Sequence, residues 1–176
     1  MDRSPDPITE VDAYRTSLLE ALGGDPVSDA LAEAPAMLRQ VVADAGDLLR
    51  VRPEPGEWSV LECVAHITDA ELVASARVRW MLAEREPDIV GYDQALWVDR
   101  LGHNEDDPEV LLGLFESLRR ANLDLWRRTP VPARGRFGMH RERGREDVDL
   151  TVRMAAGHHR IHLAQARRAL DTLRSR

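Results

Sequence analysis

Four long stretches of this chain repeat their apolar residues every three to four positions, and no stretch alternates apolar and polar residues over a run rich in β-branched side chains. The first runs from about Ala34 to Leu49, with Met37, Leu38, Val41, Val42, Ala45, Leu48 and Leu49 on one side. A shorter helical segment, Ile8 to Leu22, precedes it. The second opens at Ser59, whose hydroxyl can accept from a backbone amide while Glu62 reaches back, a capping box. It continues through Leu61, Val64, Ala65, Leu72 and Ala76 to about Leu82. The third begins at Asp107-Pro108, a cap followed by proline at the first helical position, and its stripe is Leu111, Leu114, Phe115, Leu118, Asn122 and Leu125. The fourth starts near Asp147 or Asp149 and passes Ala155, Ala166 and Ala169 to Leu173. Such helices bury their stripes against one another, so the pattern predicts an all-α four-helix bundle with a short N-terminal helix added. Two links, roughly 84–106 and 129–148, exceed what a simple up-down bundle needs and predict at least one long crossover.

A chain of 176 residues is long enough to bury its own core, and neither a repeat nor a low-complexity linker divides it. Residues 1–176 therefore read as one domain, with 1–25 as an N-terminal extension. A formal net charge of −7 disfavours any role that depends on neutralising nucleic-acid phosphates. Cys63 is the only cysteine, so no intrachain disulfide forms, which fits a reducing compartment. The N-terminal residues carry no apolar signal core, and no run reaches the roughly 18 apolar residues of a membrane span. Together these features read as a cytoplasmic protein.

The histidines narrow the reading. His158 and His162 stand four apart in the fourth stretch, so both imidazoles project from one face about a turn apart. That face is the apolar one, shared with Ala155, Ala166, Ala169 and Leu173. Two imidazoles facing a core are costly unless their nitrogens are satisfied, and a divalent metal ion satisfies them. A third ligand has to come from another helix, and His66, in the run Val64-Ala65-His66-Ile67, is the candidate. The competing reading has each ring donating to a backbone carbonyl or facing water. His103, in a loop beside Gly102 and Asn104, reads that way. His159 turns about 100° from His158 and reads either as support for the ligands or as packing.

The run Pro55-Gly56-Glu57-Trp58-Ser59-Val60-Leu61-Glu62, followed by Ala65-His66-Ile67-Thr68-Asp69-Ala70-Glu71, resembles the PGxWSxxExxxHxxDxE signature of the DinB-like superfamily. The C-terminal Ala156-Gly157-His158-His159-Arg160-Ile161-His162-Leu163-Ala164-Gln165 resembles that family's HxxxHxxQ ending. The resemblance implies an up-up-down-down four-helix bundle and a three-histidine metal site, and its ligand positions fall on His66, His158 and His162. It also implies a divalent ion, zinc or nickel foremost, and a tendency to dimerise. Some members are S-transferases for low-molecular-weight thiols such as bacillithiol or mycothiol, and others resemble metal-dependent hydrolases or isomerases. The family name refers to induction by DNA damage and implies no DNA binding.

Three neutral imidazoles leave coordination positions open, in the style of catalytic rather than structural metal sites. A metal held this way can lower the pKa of a water toward neutrality, or hold a thiol as thiolate. The first route makes a hydrolase and the second an S-transferase, each acting on a small molecule, with a low-molecular-weight thiol as co-substrate in the second. The alternative is a non-catalytic metal- or ligand-binding bundle of stress response, in which the metal adds stability by mass action. Asp69, three residues after His66, reads as its orienting partner. Glu71 reads as solvated or interhelical, and Gln165 as a substrate contact or a cap on a buried carbonyl. The basic stretch Arg134 to Arg145 either folds over the mouth of the site to grip an oxyanion or lies solvated. Cys63 reads as a small core residue, Trp58 as a staple at the start of its helix, and Trp80, Trp97 and Trp126 as packing.

Overall fold

In the computed structural model, which describes residues 5–176, the chain runs through α1 (Val11–Leu22), α2 (Val27–Ala45), α3 (Val60–Ala83), β1 (Asp88–Ile89), α4 (Gln94–Arg100), α5 (Pro108–Arg128), β2 (Phe137–His140), β3 (Gly144–Asp147) and α6 (Val148–Arg174). The first four residues of the 1–25 extension lie outside the described residues. Three helix starts follow from their caps. Ser59 accepts the Glu62 amide at 3.1 Å while the Glu62 carboxylate takes the Ser59 amide at 2.8 Å, and Arg52 forks onto the same carboxylate. Asp107 accepts from the amides of Glu109 and Val110 ahead of α5. Asp147 accepts the Leu150 amide at 2.9 Å ahead of α6.

The helix α2 starts at Val27, earlier than the expected Ala34, and runs through Pro35. It stops at Ala45 because Gly46 takes a positive φ of 49°, and the expected last turn is a separate 3-10 turn, Gly46–Leu48. In α5 the expected stripe is rotated: the buried face carries Leu112, Phe115, Arg119, Leu123 and Trp126, whereas Leu114 is exposed. The cause is an ion pair. Arg119 is buried against Glu71 of α3 at 2.8 Å, so a charged residue occupies the core face and an apolar one the surface. Leu72 is likewise exposed while its neighbour Glu71 points inward.

The core falls into two clusters that fix the helix directions. Ala30 and Leu31 of α2 pack with Met81 of α3, Leu123 and Trp126 of α5, and Val148 and Val152 of α6. Farther along α2, Leu38, Val41 and Ala45 pack with Val60 and Val64, Leu112 and Phe115, and Leu163 and Leu170. Hence α2 and α6 run one way, and α3 and α5 run the other. Both α2 and α3 pack on α5 and α6, so the order round the bundle is α6, α2, α5, α3, which reads up, up, down, down. In chain order the directions are up, down, down, up. The long crossover is the α3-to-α5 link, which returns along the bundle and carries α4.

A small three-stranded sheet was not expected from the sequence. Strand β2 pairs parallel to β1 and antiparallel to β3. Strands of two and four residues with glycine and arginine in them carry too little period-two pattern to be read in advance. The sheet ties the crossover to the segment before α6. Outside the four-helix core, α1 lies along α6. The contact is close at Gly157, where an added Cβ would stand 1.8 Å from the Leu18 carbonyl oxygen. None of the helices among the described residues is long and apolar enough to cross a membrane.

Candidate metal centre

Antiparallel packing of α3 on α6 sets the early turns of one against the later turns of the other, and three histidines meet there. His66 of α3 and His158 of α6 approach with their Nε2 atoms 3.1 Å apart. His162, one turn after His158, brings its ring centroid to 4.4 Å from each of the other two. One ring nitrogen from each residue lies within 4.8 Å of the others. Two nitrogens bound to one tetrahedral zinc stand about 3.3 Å apart, given zinc–nitrogen distances of about 2.0–2.1 Å. The spacing of the cluster fits one such ion with small side-chain adjustments.

The surroundings hold all three rings neutral. Burial, then the neighbouring His162 and His103, pushes His66 down to about 2. Burial likewise drives His158 well below its ordinary value, and His162 to about 4 against the opposing hydrogen bond from Gln165. Each ring therefore keeps a lone pair for a cation at neutral pH. The Nδ1–H of His162 donates to Gln165 Oε1 at 2.8 Å, which leaves Nε2 as its free lone pair. Gln165 thus orients a ring rather than capping a carbonyl. The Nδ1 of His158 is buried without a hydrogen-bond partner. Trp58 lies over the cluster, its ring 5.0 Å from His66 and stacked 5.8 Å from His162. It covers the histidines besides seating the start of α3.

Two sequence expectations are corrected here. Asp69 does not face His66; it accepts from His103 Nε2 at 2.8 Å. His103 is not a solvated loop residue but is 6% exposed, and its other nitrogen meets Asp106 at 2.7 Å. The short 3-10 turn His103–Glu105 lies against α3, which puts Asp69 within its reach. His159 belongs to a different buried group: Arg119 donates to its Nδ1, and Glu71 lies 3.6 Å from its Nε2. Asn122 donates to the same Glu71 carboxylate at 2.6 Å, so Glu71 is interhelical. Cys63 is fully buried, and burial pushes its thiol up to about 12, as befits a core residue.

Beside the cluster lies a cavity of about 440 Å³, walled by α1 and the residues before it, α3, the 91–95 segment, the β2–β3 hairpin and α6, with His158 on its wall. Of the basic stretch, Arg143 lines this cavity, held by Glu146 at 2.6 Å. The other arginines go elsewhere: Arg134 stacks on Trp126, Arg136 binds the Met81 carbonyl, Arg141 is exposed, and Arg145 lies over Phe137. Tyr14, Arg77, Tyr92 and Thr151 also face the cavity, and none was singled out from sequence. A signal was available, since Ala70, Val73 and Arg77 continue the face of α3 that begins at His66, and Thr151 and Ala155 continue that of His158.

Known proteins place this arrangement. A relative from Oceanobacillus iheyensis, described as an inferred metal-dependent hydrolase, is 26% identical over 133 residues, covering 75% of this chain and 77% of its own. Bacillus subtilis YfiT, described the same way, is 32% identical over 89 residues, half of each chain. The solved structure of YfiT, reported to have an unusual four-helix bundle topology, superposes with a TM-score of 0.75 at 23% identity over 85% of both chains. The model of the DinB superfamily matches residues 30–166, a span that holds all three clustered histidines. On that match, the chain belongs to the DinB superfamily.

Proposed function

We propose that the protein is a metal-dependent hydrolase of small molecules, with His66, His158 and His162 as the ligands of one divalent ion, zinc or nickel. The observation that carries this is the convergence of three neutral imidazoles, one nitrogen of each within 4.8 Å of the others, at the edge of a cavity. Three protein ligands leave the ion open to substrate, and relatives described as metal-dependent hydrolases support the class of reaction. When bound, the ion supplies Lewis acidity toward a carbonyl or a water. The chain's own residues do the rest. Gln165 fixes the His162 ring and its tautomer. Trp58 shields one side of the cluster from bulk water. Because His158 belongs to both the cluster and the cavity wall, a substrate seated in the cavity lies next to the ion.

The test is elemental analysis of natively purified protein, followed by assays of zinc- and nickel-loaded enzyme on a panel of esters and amides. One equivalent of metal with metal-dependent turnover is expected, and both are expected to vanish in His158→Ala/His162→Ala. Thiol conjugation to electrophiles without hydrolysis would move the reading to S-transfer. Stoichiometric metal without turnover on any panel would leave a binding protein.

A further inference from the structure

Among the described residues, six buried side-chain polar atoms lack a hydrogen-bond partner. Four of them, Arg77 Nε, His140 Nε2, Thr151 Oγ1 and His158 Nδ1, belong to residues that line the cavity beside the histidine cluster. A fifth, Arg15 Nε, sits on the guanidinium that meets the cavity-lining Glu146 at 3.4 Å. Buried polar atoms left without partners are uncommon, so a wall that collects them is built for something polar. Two of the four are donors, while Thr151 Oγ1 can donate or accept and His140 Nε2 follows its tautomer. Arg77 Nε–H can only donate, and so can His158 Nδ1–H when its Nε2 is a ligand. The phenols of Tyr14 and Tyr92 also line the cavity, and burial pushes both up, which keeps their protons on as further donors.

The charges agree. Glu146 is the buried carboxylate of the wall, and both its oxygens are already taken by Arg143, at 2.6 and 3.1 Å, with Arg15 adding a third contact. The remaining carboxylates of the lining are half-buried or exposed and bound locally: Glu142 to His140 at 3.0 Å, Asp93 to the Leu96 amide, and Asp6 to the amides of Ile8 and Thr9. Arg15 and Arg143 thus share the one interior carboxylate, and Arg77 is left without one. Arg77 forms no ion pair among the described residues, its Nη2 donating only to the Val90 carbonyl at 2.8 Å. Its environment is cationic enough that, after burial, Arg143 further lowers its affinity for a proton.

We infer that this cavity takes the oxyanion group of the substrate, a carboxylate or phosphate, and that Arg77 is the residue that binds it. That the oxyanion belongs to a substrate rests on the hydrolase reading; that the cavity holds an oxyanion stands on Arg77, which has no ion pair among the described residues, and on the donors beside it. The placement gives the substrate two ends, an anionic one on Arg77 and a reacting one beside His158.

The experiment uses the full chain stripped of metal with a chelator, so that no ion competes for the anion. Binding of propionate, inorganic phosphate and neutral propionamide is followed by chemical-shift titration. Propionate or phosphate is expected to saturate the protein, with propionamide at least tenfold weaker, and the stronger of the two anions names the head group. Arg77→Met is expected to weaken the anion by roughly ten- to a hundredfold, the worth of a charge-assisted hydrogen bond, while Arg77→Lys retains more of the affinity. Equal binding of propionamide, or Arg77→Met affinity within twofold of wild type, overturns the inference. A measurement free of variants is phenylglyoxal labelling of wild-type Arg77 read by mass spectrometry, which the bound anion must slow; unchanged labelling also overturns it. Zinc stoichiometry of the same preparation, measured before the metal is stripped, separates the two readings. Zinc retained with no anion binding removes only this inference, and anion binding with no zinc removes only the hydrolase.

Discussion

Replacing Gly157 by alanine sets two effects of opposite sign against each other. In the interior of α6 alanine is the better helix former by about 1 kcal/mol. The new methyl, however, would lie 1.8 Å from the Leu18 carbonyl oxygen and 2.7 Å from its carbon. Ordinary van der Waals separation requires the two backbones to part by about 1.5 Å. Helix α1 is held to the bundle through Leu18 and Leu22, each 2% exposed, and by Arg160, which donates to the Leu22 carbonyl at 2.7 Å. Burial of each leucine is worth about 1.5–3 kcal/mol, and a gap of that size forfeits a large part of it. The clash wins, and the docking of α1 should weaken by about 2 kcal/mol net. Amide exchange in α1, read by mass spectrometry, should then accelerate roughly thirtyfold, with α3 and α5 little changed. Unchanged or slower exchange in α1 would refute the reasoning, because it would mean that α6 yields and helix propensity decides.

Four other outcomes are expected. Gln165→Leu removes the acceptor of the His162 Nδ1–H and should weaken zinc binding roughly 10- to 100-fold in a chelator competition titration. Arg119→Met alone strands the buried Glu71 carboxylate and should cost about 3–5 kcal/mol in denaturant unfolding, most of it recovered in Glu71→Leu/Arg119→Met. Ser59→Ala removes one half of the capping box and should lower unfolding free energy by about 1 kcal/mol. Finally, metal-free protein should lose stability as pH falls below about 6.5, since the folded state depresses the histidine pKa values and the unfolded chain takes up protons first. For His162, lowered to about 4, that loss reaches about 3 kcal/mol by pH 4 in a urea titration, whereas a flat profile between pH 6.5 and 4 would contradict it.

Much of the bundle is legible in the sequence because its cues are local. Ser59 with Glu62, Asp107 with Pro108, and Asp147 announce helix starts within a few residues, and the structure uses each as a cap. The histidine cluster is legible for the same reason: four-residue spacing fixes His158 and His162, and an apolar setting selects His66. What escapes is decided at a distance. Arg119 and Glu71 sit in the core only because each has the other, and no local pattern of apolar residues can show a pair 48 positions apart. His103 is drawn inward by Asp69 and Asp106 together, against every cue of the glycine-flanked loop around it. The cavity escapes too, being assembled from five separate segments whose residues look unremarkable one by one.

The family-wide match begins at residue 30, after α1 has ended, yet Tyr14 and Leu18 of α1 form part of the cavity wall. The cavity wall is thus drawn from both sides of that boundary, with Arg77, Tyr92 and Arg143 inside the matched span and α1 before it. The matched span carries the three clustered imidazoles, while the first helix bounds one side of the space beside them. Substitutions on the cavity face of α1, at Tyr14 and Leu18, would reshape that space without touching the histidine cluster or the four helices that hold it.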